Sequence, residues 1–221
     1  MPVHDSKEGN KLNEQILEKH EKSSSKEKNL SGRELIIQSA TQLFVEKGFN
    51  GVSMREIAET SHMTKAALYY HFQDKEALTS QIFYDYFSEI ELDIQKILEQ
   101  TTPIREKTAQ FVEKIMNQSP EKLGVIHLIF IESSHLGIKF RQEIGQKYHT
   151  LFLGSIENLL NDGIKQGEIR DLDVKQTAQL LFGMMYSYFH PQQPKYPEEI
   201  QKSTDLVLQI FFEGVEKRSL N

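Results

Sequence analysis

Residues 53–71 read SMREIAETSHMTKAALYYH, and the side chains gathered there suit contact with a polyanion. Thr64, Lys65, Ala66, Tyr69, Tyr70 and His71 place hydroxyls, a cation and a small residue within about two helical turns. Small residues admit close approach to a groove, while hydroxyl and ammonium groups meet phosphate oxygens and base edges. Other chemistries find less support. Cys is absent, which excludes thiolate zinc sites, disulfides and thiol nucleophiles. His127, Glu132 and His135 come nearest to a metal set, but spacings of five and three residues spread them over a wide arc. Two His at i and i+4 on one helix face would be needed for a tight pair. Glycine-rich phosphate loops, nucleophile elbows and carboxylate dyads are missing too, so neither an enzyme nor a cofactor or metal is expected.

The elements that must hold these side chains read as helices throughout. Ser31–Glu34, Ser53–Glu56 and Asp173–Gln176 each have the spacing of a capping box, in which a side chain answers the N–H three residues on and is answered in return. Ile36, Ala40, Leu43 and Phe44 recur at helical spacing before a stop at Lys47-Gly48. Two short helices, opened at Ser53 and Thr64 and separated by a turn near residues 61–63, have the dimensions of a helix-turn-helix. Ile57, Ala58, Met63 and Leu68 are its expected core. Asp74 caps a long helix whose apolar stripe runs from Ala77 to Ile97. Thr102-Pro103 and Ser119-Pro120 start two more helices, each with Pro at the first helical position. A long helix over about 139–166, one from Asp173 to about His190 and one over about 197–217 complete the chain. No alternating strand pattern occurs. The expected fold is all-α, with about nine helices.

The string Ala40-x-x-Leu43-Phe44, Gly48-Phe49, Ser53-x-x-x-Ile57-Ala58, Thr64-x-Ala66-x-Leu68-Tyr69-Tyr70-His71-Phe72 and Lys75-Glu76-x-Leu78 resembles the TetR family of transcriptional regulators. Residues 1–30, rich in Lys, Glu, Ser and Asn, read as a mobile tail. The resemblance implies a three-helix DNA-binding domain over 31–78 and an effector-binding and dimerisation domain over 79–221. It implies that Ser53 and Arg55 face DNA phosphates and that Thr64, Lys65 and Ala66 open the recognition helix. Tyr69, Tyr70 and His71 would touch backbone or base edges, and Lys75 would grip a phosphate. His62 departs from the family's usual Gly at the turn. His is among the residues that tolerate the left-handed region, so the turn is expected to persist.

The family likeness also implies partners: a double-stranded, palindromic operator, a second copy of the chain and a small-molecule effector. Apolar and amphipathic side chains in the larger domain are the candidates for the effector site. Phe111, Ile115, Phe130, Ile131, Met184 and Met185 would supply its walls. His127, His135 and Tyr188 would supply polar anchors. A repressor released by an apolar or amphipathic ligand is the expected function. An effector-independent DNA-binding protein is the alternative, and an all-α enzyme a more distant one. For the dimer, the stripe Val174, Ala178, Leu181, Phe182, Met185 and Phe189 and the stripe Ile200, Val207, Phe211 and Val215 would form a four-helix interface with their copies, Gly183 and Gly214 allowing close approach; the alternative is that the stripes, Phe182 above all, are core within the subunit.

Charge does not oppose this reading. The net charge of −6 resides mainly beyond residue 80, whereas residues 31–80 carry Arg33, Lys47, Arg55, Lys65 and Lys75 against six acids. That balance leaves room for a local cationic face near residues 55–75. The polar N-terminus and the shortness of the longest apolar run, Val125 to Ile131, point to a cytoplasmic protein without a membrane partner.

Overall fold

Hydroxyl and carboxylate caps set where the helices begin in the computed structural model, which describes residues 30–132, 136–189 and 197–215. The expected tail lies outside the described residues, apart from residue 30. Helix α1 (Gly32–Lys47) opens with a complete capping box: the Ser31 amide donates to Glu34 Oε2 at 2.7 Å and the Glu34 amide donates to Ser31 Oγ at 3.3 Å. Those bonds hold the Glu34 carboxyl below its ordinary range. Gly48, at φ 73°, ends the helix in a conformation costly for side chains with a Cβ. Helices α2 (Met54–Thr60) and α3 (Lys65–His71) follow, then α4 (Lys75–Leu98), capped by Asp74 Oδ1, which accepts from the Ala77 amide at 2.7 Å.

The two other expected capping boxes form only in half. Ser53 and Asp173 accept from the amides of Glu56 and Gln176, at 3.2 and 3.0 Å. The Glu56 carboxylate turns instead to Lys47 Nζ at 2.5 Å, because the end of α1 brings an ammonium within reach.

The larger domain continues with α5 (Ile104–Met116), α6 (Pro120–Glu132), α7 (Ile138–Tyr148), α8 (Gly154–Gln166), α9 (Val174–Tyr186) and α10 (Pro197–Val215). The start of α5 falls one residue later than expected, with Pro103 at the cap itself. The single long helix expected over 139–166 is continuous but contains a π-helical turn, His149–Leu153, joining α7 to α8. Its i→i+5 bonding, with the Gly154 amide donating to His149 O, keeps Leu151 and Phe152 directed into the core. Counting that run once, the described residues form nine helices, and none is long and apolar enough to cross a membrane.

The core is continuous from one end of α4 to the other. Near its start, Leu78 packs with Ile36, Phe44, Ile57 and Leu68; further along, Phe83 and Phe87 join Phe111, Phe152 and Phe189. The 24 residues of α4, about 36 Å at 1.5 Å each, thus belong to both domains. A second joint lies between α6 and α1, where a Cβ on Gly124 would come within 2.5 Å of Val45 Cγ1. Only Gly permits that approach.

The expected dimer stripes are corrected by this packing. Ala178, Leu181, Phe182, Met185, Phe189, Val207, Phe211 and Val215 are all buried within the subunit, and Val174 and Ile200 are half-buried against the same core. The strongest apolar faces of α9 and α10 are used to close their own domain. What remains outside is Leu180, with Gly183 and Ser187 on the same face of α9, and Leu206 and Ile210, with Gly214 on the same face of α10. The three large side chains are 68%, 50% and 54% exposed.

Candidate nucleic-acid interface

A short apolar contact set fixes α3 against the rest of the small domain. Leu68 and Ile57 are fully buried, Ala58 nearly so, and Met63 packs partly exposed against the cluster, close to Gly32 of α1. The turn between α2 and α3 is held by the Met63 amide donating to Ala58 O at 2.9 Å and the Ser61 hydroxyl donating to Ile57 O at 2.7 Å. His62 takes φ 55°, so the left-handed turn is kept without Gly.

With Leu68 inward, helical geometry turns the rest of α3 to solvent. Thr64, Lys65, Ala66, Tyr69, Tyr70 and His71 are all exposed, Tyr70 by 86%. Thr64 Oγ1 caps α3 by accepting from the Ala67 amide at 3.1 Å. Lys65 Nζ lies 5.8 Å from the Tyr69 ring centre, and the Tyr70 and His71 rings meet edge-on at 5.3 Å. These contacts limit the rotamers of long side chains before any ligand arrives. Ser53 and Arg55 are exposed at the start of α2, where Arg55 Nε donates to Glu59 Oε1 at 2.8 Å.

Lys75 does not extend toward solvent as expected. Its ammonium donates to Phe49 O at 2.6 Å and Val52 O at 2.8 Å, and sits 4.1 Å from the Phe49 ring centre. The charge is drawn in by carbonyls that the tight turn after α1 leaves pointing at it, and Lys75 ties that turn to α4. Arg33, counted above only as one of the five cations, belongs to the same surface. Its guanidinium lies 5.0 Å from the ring centre of Phe72, the residue that ends α3, so it brings a cation to the edge of the same face. A basic residue in the first turn of α1 was the available signal.

The expected effector residues do not converge on one site. Phe111, Ile115 and Met185 are fully buried in close-packed core, whereas Phe130 and Ile131 are 38% and 47% exposed. Helix α6 presents apolar side chains on more than one side, so its residues divide between interior and surface. Phe130 instead joins an aromatic cluster, 4.9 Å from both Tyr148 and Tyr186. His127 stacks on Tyr186 at 6.1 Å, and Met184 and Tyr188 are half-buried. His135 lies outside the described residues, as does the side chain of Glu132.

Two clefts flank α4 on opposite faces. One, of about 540 Å³, runs along α7 and the π-helical turn and is lined by Tyr84, Ile94, Leu98, Lys147 and Leu151 among others. Lys147 Nζ bridges it to Glu91 at 2.9 Å. The other, of about 380 Å³, lies toward α5 and the α5–α6 corner.

Comparison with known proteins matches this arrangement. Residues 36–82 match the family described as bacterial regulatory proteins, tetR family, and residues 83–190 match the C-terminal region of YsiA-like proteins. The chain is 23% identical over 184 residues to the uncharacterized HTH-type transcriptional regulator YhgD of Bacillus subtilis, covering 83% of this chain and 95% of that protein. Its fold is similar to AibR in complex with isovaleryl coenzyme A and operator DNA, at TM-score 0.70 and 23% identity over 82% of this chain and 98% of that one. It is also similar to FadR from Bacillus subtilis in complex with stearoyl-CoA, at TM-score 0.69 and 21% identity over 81% and 97%. With both parts of the chain matched in order, the chain belongs to the TetR family of bacterial transcriptional regulators.

Proposed function

We propose that the protein is a ligand-responsive repressor that binds a palindromic operator as a homodimer, with α3 in the major groove. The exposed face of α3 carries this reading, because Lys65, Tyr70 and His71 are exposed and their ring and cation contacts are chiefly with one another and with Tyr69. Lys65→Ala is expected to weaken binding to the operator by about 1–3 kcal/mol and to relax preference at one symmetric pair of bases. Fluorescence anisotropy with DNA from upstream of its own gene, followed by binding-site selection, measures both. Equal affinity of the parent protein for that DNA and for a scrambled duplex would refute the reading.

Two α3 helices can read two half-sites only if a dimer holds them about 34 Å apart. The exposed face formed by Leu180, Leu206 and Ile210 supports such an interface, with Gly183 and Gly214 flush beside it and open space where their Cβ atoms would stand. Leu206→Glu combined with Ile210→Glu is expected to give a folded monomer in sedimentation and to abolish tight operator binding. A persistent dimer would place the interface elsewhere.

The effector is proposed to be amphipathic, as in the AibR and FadR complexes, and to occupy the cleft between α4 and the π-helical turn. Ile94, Leu98 and Leu151 supply apolar wall there, and Lys147 and Glu91 a charged rim. A ligand shifts α4 only by its differential affinity for the two positions of that helix.

A further inference from the structure

The second cleft has different chemistry. At 100° per residue, Tyr86, Glu89, Ile90 and Asp93 lie on the face of α4 opposite Tyr84, Glu91 and Gln95, so the two clefts are separated by the helix itself. Its α4 wall presents two carboxylates, Glu89 and Asp93. The facing wall, from the end of α5 and the first turn of α6, presents two ammonium groups, Lys114 and Lys122. The walls are tied by ion pairs of Lys114 with Asp93 at 2.6 Å and of Lys122 with Glu89.

Between them are polar groups that the fold leaves unused. Tyr86 is 6% exposed, and its ring stacks on Phe152 at 6.4 Å between centres. Its hydroxyl lies beside the Gln118 amide and near Glu89, where burial pushes the phenol well above its ordinary range. The hydroxyl and the Gln118 amide have only each other within reach, and neither that hydroxyl nor Gln118 Oε1 or Nε2 makes a well-formed hydrogen bond, although all three atoms are buried. Orphaned buried donors and acceptors of this kind are disfavoured unless something else answers them.

We infer that the cleft between α4 and the α5–α6 corner binds a small zwitterion of the free α-amino acid class, with a polar uncharged side chain. Opposed walls of equal and opposite charge select for that class. A ligand that enters one ion pair, its carboxylate on Lys114 and its ammonium on Asp93, or its carboxylate on Lys122 and its ammonium on Glu89, answers both members of the pair it separates. A net anion or cation would separate the pair and leave one of its members to solvent alone. A carboxamide or hydroxyl on the ligand meets Tyr86 and Gln118. The volume of about 380 Å³ falls in the range of small-molecule sites, about 300–1,000 Å³. The site also has a route to the reading head. Lys122 stands two residues before Gly124, which rests directly on Val45 of α1.

This site is independent of the amphipathic effector, and binding is measured without DNA, so its failure would leave the repressor reading standing. The test is isothermal titration of the full chain with the proteinogenic L-amino acids, L-glutamine first. At least one is expected to bind with Kd of about 1 mM or tighter. Its N-acetyl derivative, a net anion, and its methyl ester, a net cation, are expected to bind at least about tenfold more weakly. Gln118→Leu and Tyr86→Phe remove the orphaned groups, so each is expected to abolish or weaken binding while leaving the melting temperature unchanged or higher. No saturable heat with any amino acid up to about 10 mM would overturn the proposal. So would undiminished affinity in Gln118→Leu, or a fall of several degrees in melting temperature in both variants, which would make those groups structural.

Discussion

Lys75→Ala is expected to lower the melting temperature by about 4–8 °C while changing the salt dependence of operator binding little. The ammonium makes two charge-assisted hydrogen bonds, to Phe49 O and Val52 O, and covers the Phe49 ring. Bonds to a charged donor contribute about 1.5–3 kcal/mol each when buried. Lys75 is half-buried, and screening reduces the pair to about 2 kcal/mol in total. The loss falls on a turn with little slack, since a Cβ on Gly51 would stand 2.3 Å from Lys47 O. Lys75→Met, which keeps the stem over Phe49, is expected to recover part of the loss. A phosphate-gripping lysine would behave in the opposite way, with an unchanged melting temperature and a log–log salt slope smaller by about 2 for the two copies in a dimer. Thermal melts and salt titrations on the same variant separate the two roles.

That contrast shows which parts of the molecule were legible in the sequence. Caps are local, and Ser31, Ser53, Thr64, Asp74 and Asp173 each accept the amide three residues on, where spacing placed them. The exposed face of α3 followed from one buried position, Leu68. Partner choice over distance was not legible. Glu56 prefers Lys47 to its own helix, and Lys75 finds carbonyls 26 and 23 residues away. Helices α9 and α10 carry apolar residues on two sides. Spacing revealed the stronger stripe but left open whether a partner or their own domain would bury it; their own domain does, leaving Leu180, Leu206 and Ile210 outside. The expected effector residues divide between core and surface for a related reason. Phe111 and Ile115 are bulky and apolar whether they line a cavity or fill one, and here they fill the core. The clefts beside α4 are instead framed by ion pairs between distant helices, which no local pattern announces.

Gly124→Ala is expected to shift operator affinity by about tenfold or more without touching any DNA-facing residue, a coupling of about 1–3 kcal/mol. The new Cβ would stand 2.5 and 2.8 Å from the two methyl carbons of Val45 and 3.2 Å from its Cβ. Val has a stiff χ1, and its Cβ is fixed to the α1 backbone, so the side chain cannot simply swing away. The relief open to the structure is to separate α6 from α1, at a cost of about 1–3 kcal/mol typical of overpacking. Because α1 packs on both α2 and α4, displacing it re-aims α3. Val45→Ala removes the two obstructing methyls and leaves a small void when made alone. Combined with Gly124→Ala, it is expected to restore most of the parent operator affinity, a non-additivity that a double-mutant cycle reads directly. Additive effects of the two substitutions would mean that α6 and α1 do not communicate at this contact, and that α4 alone carries any signal from the larger domain to the DNA.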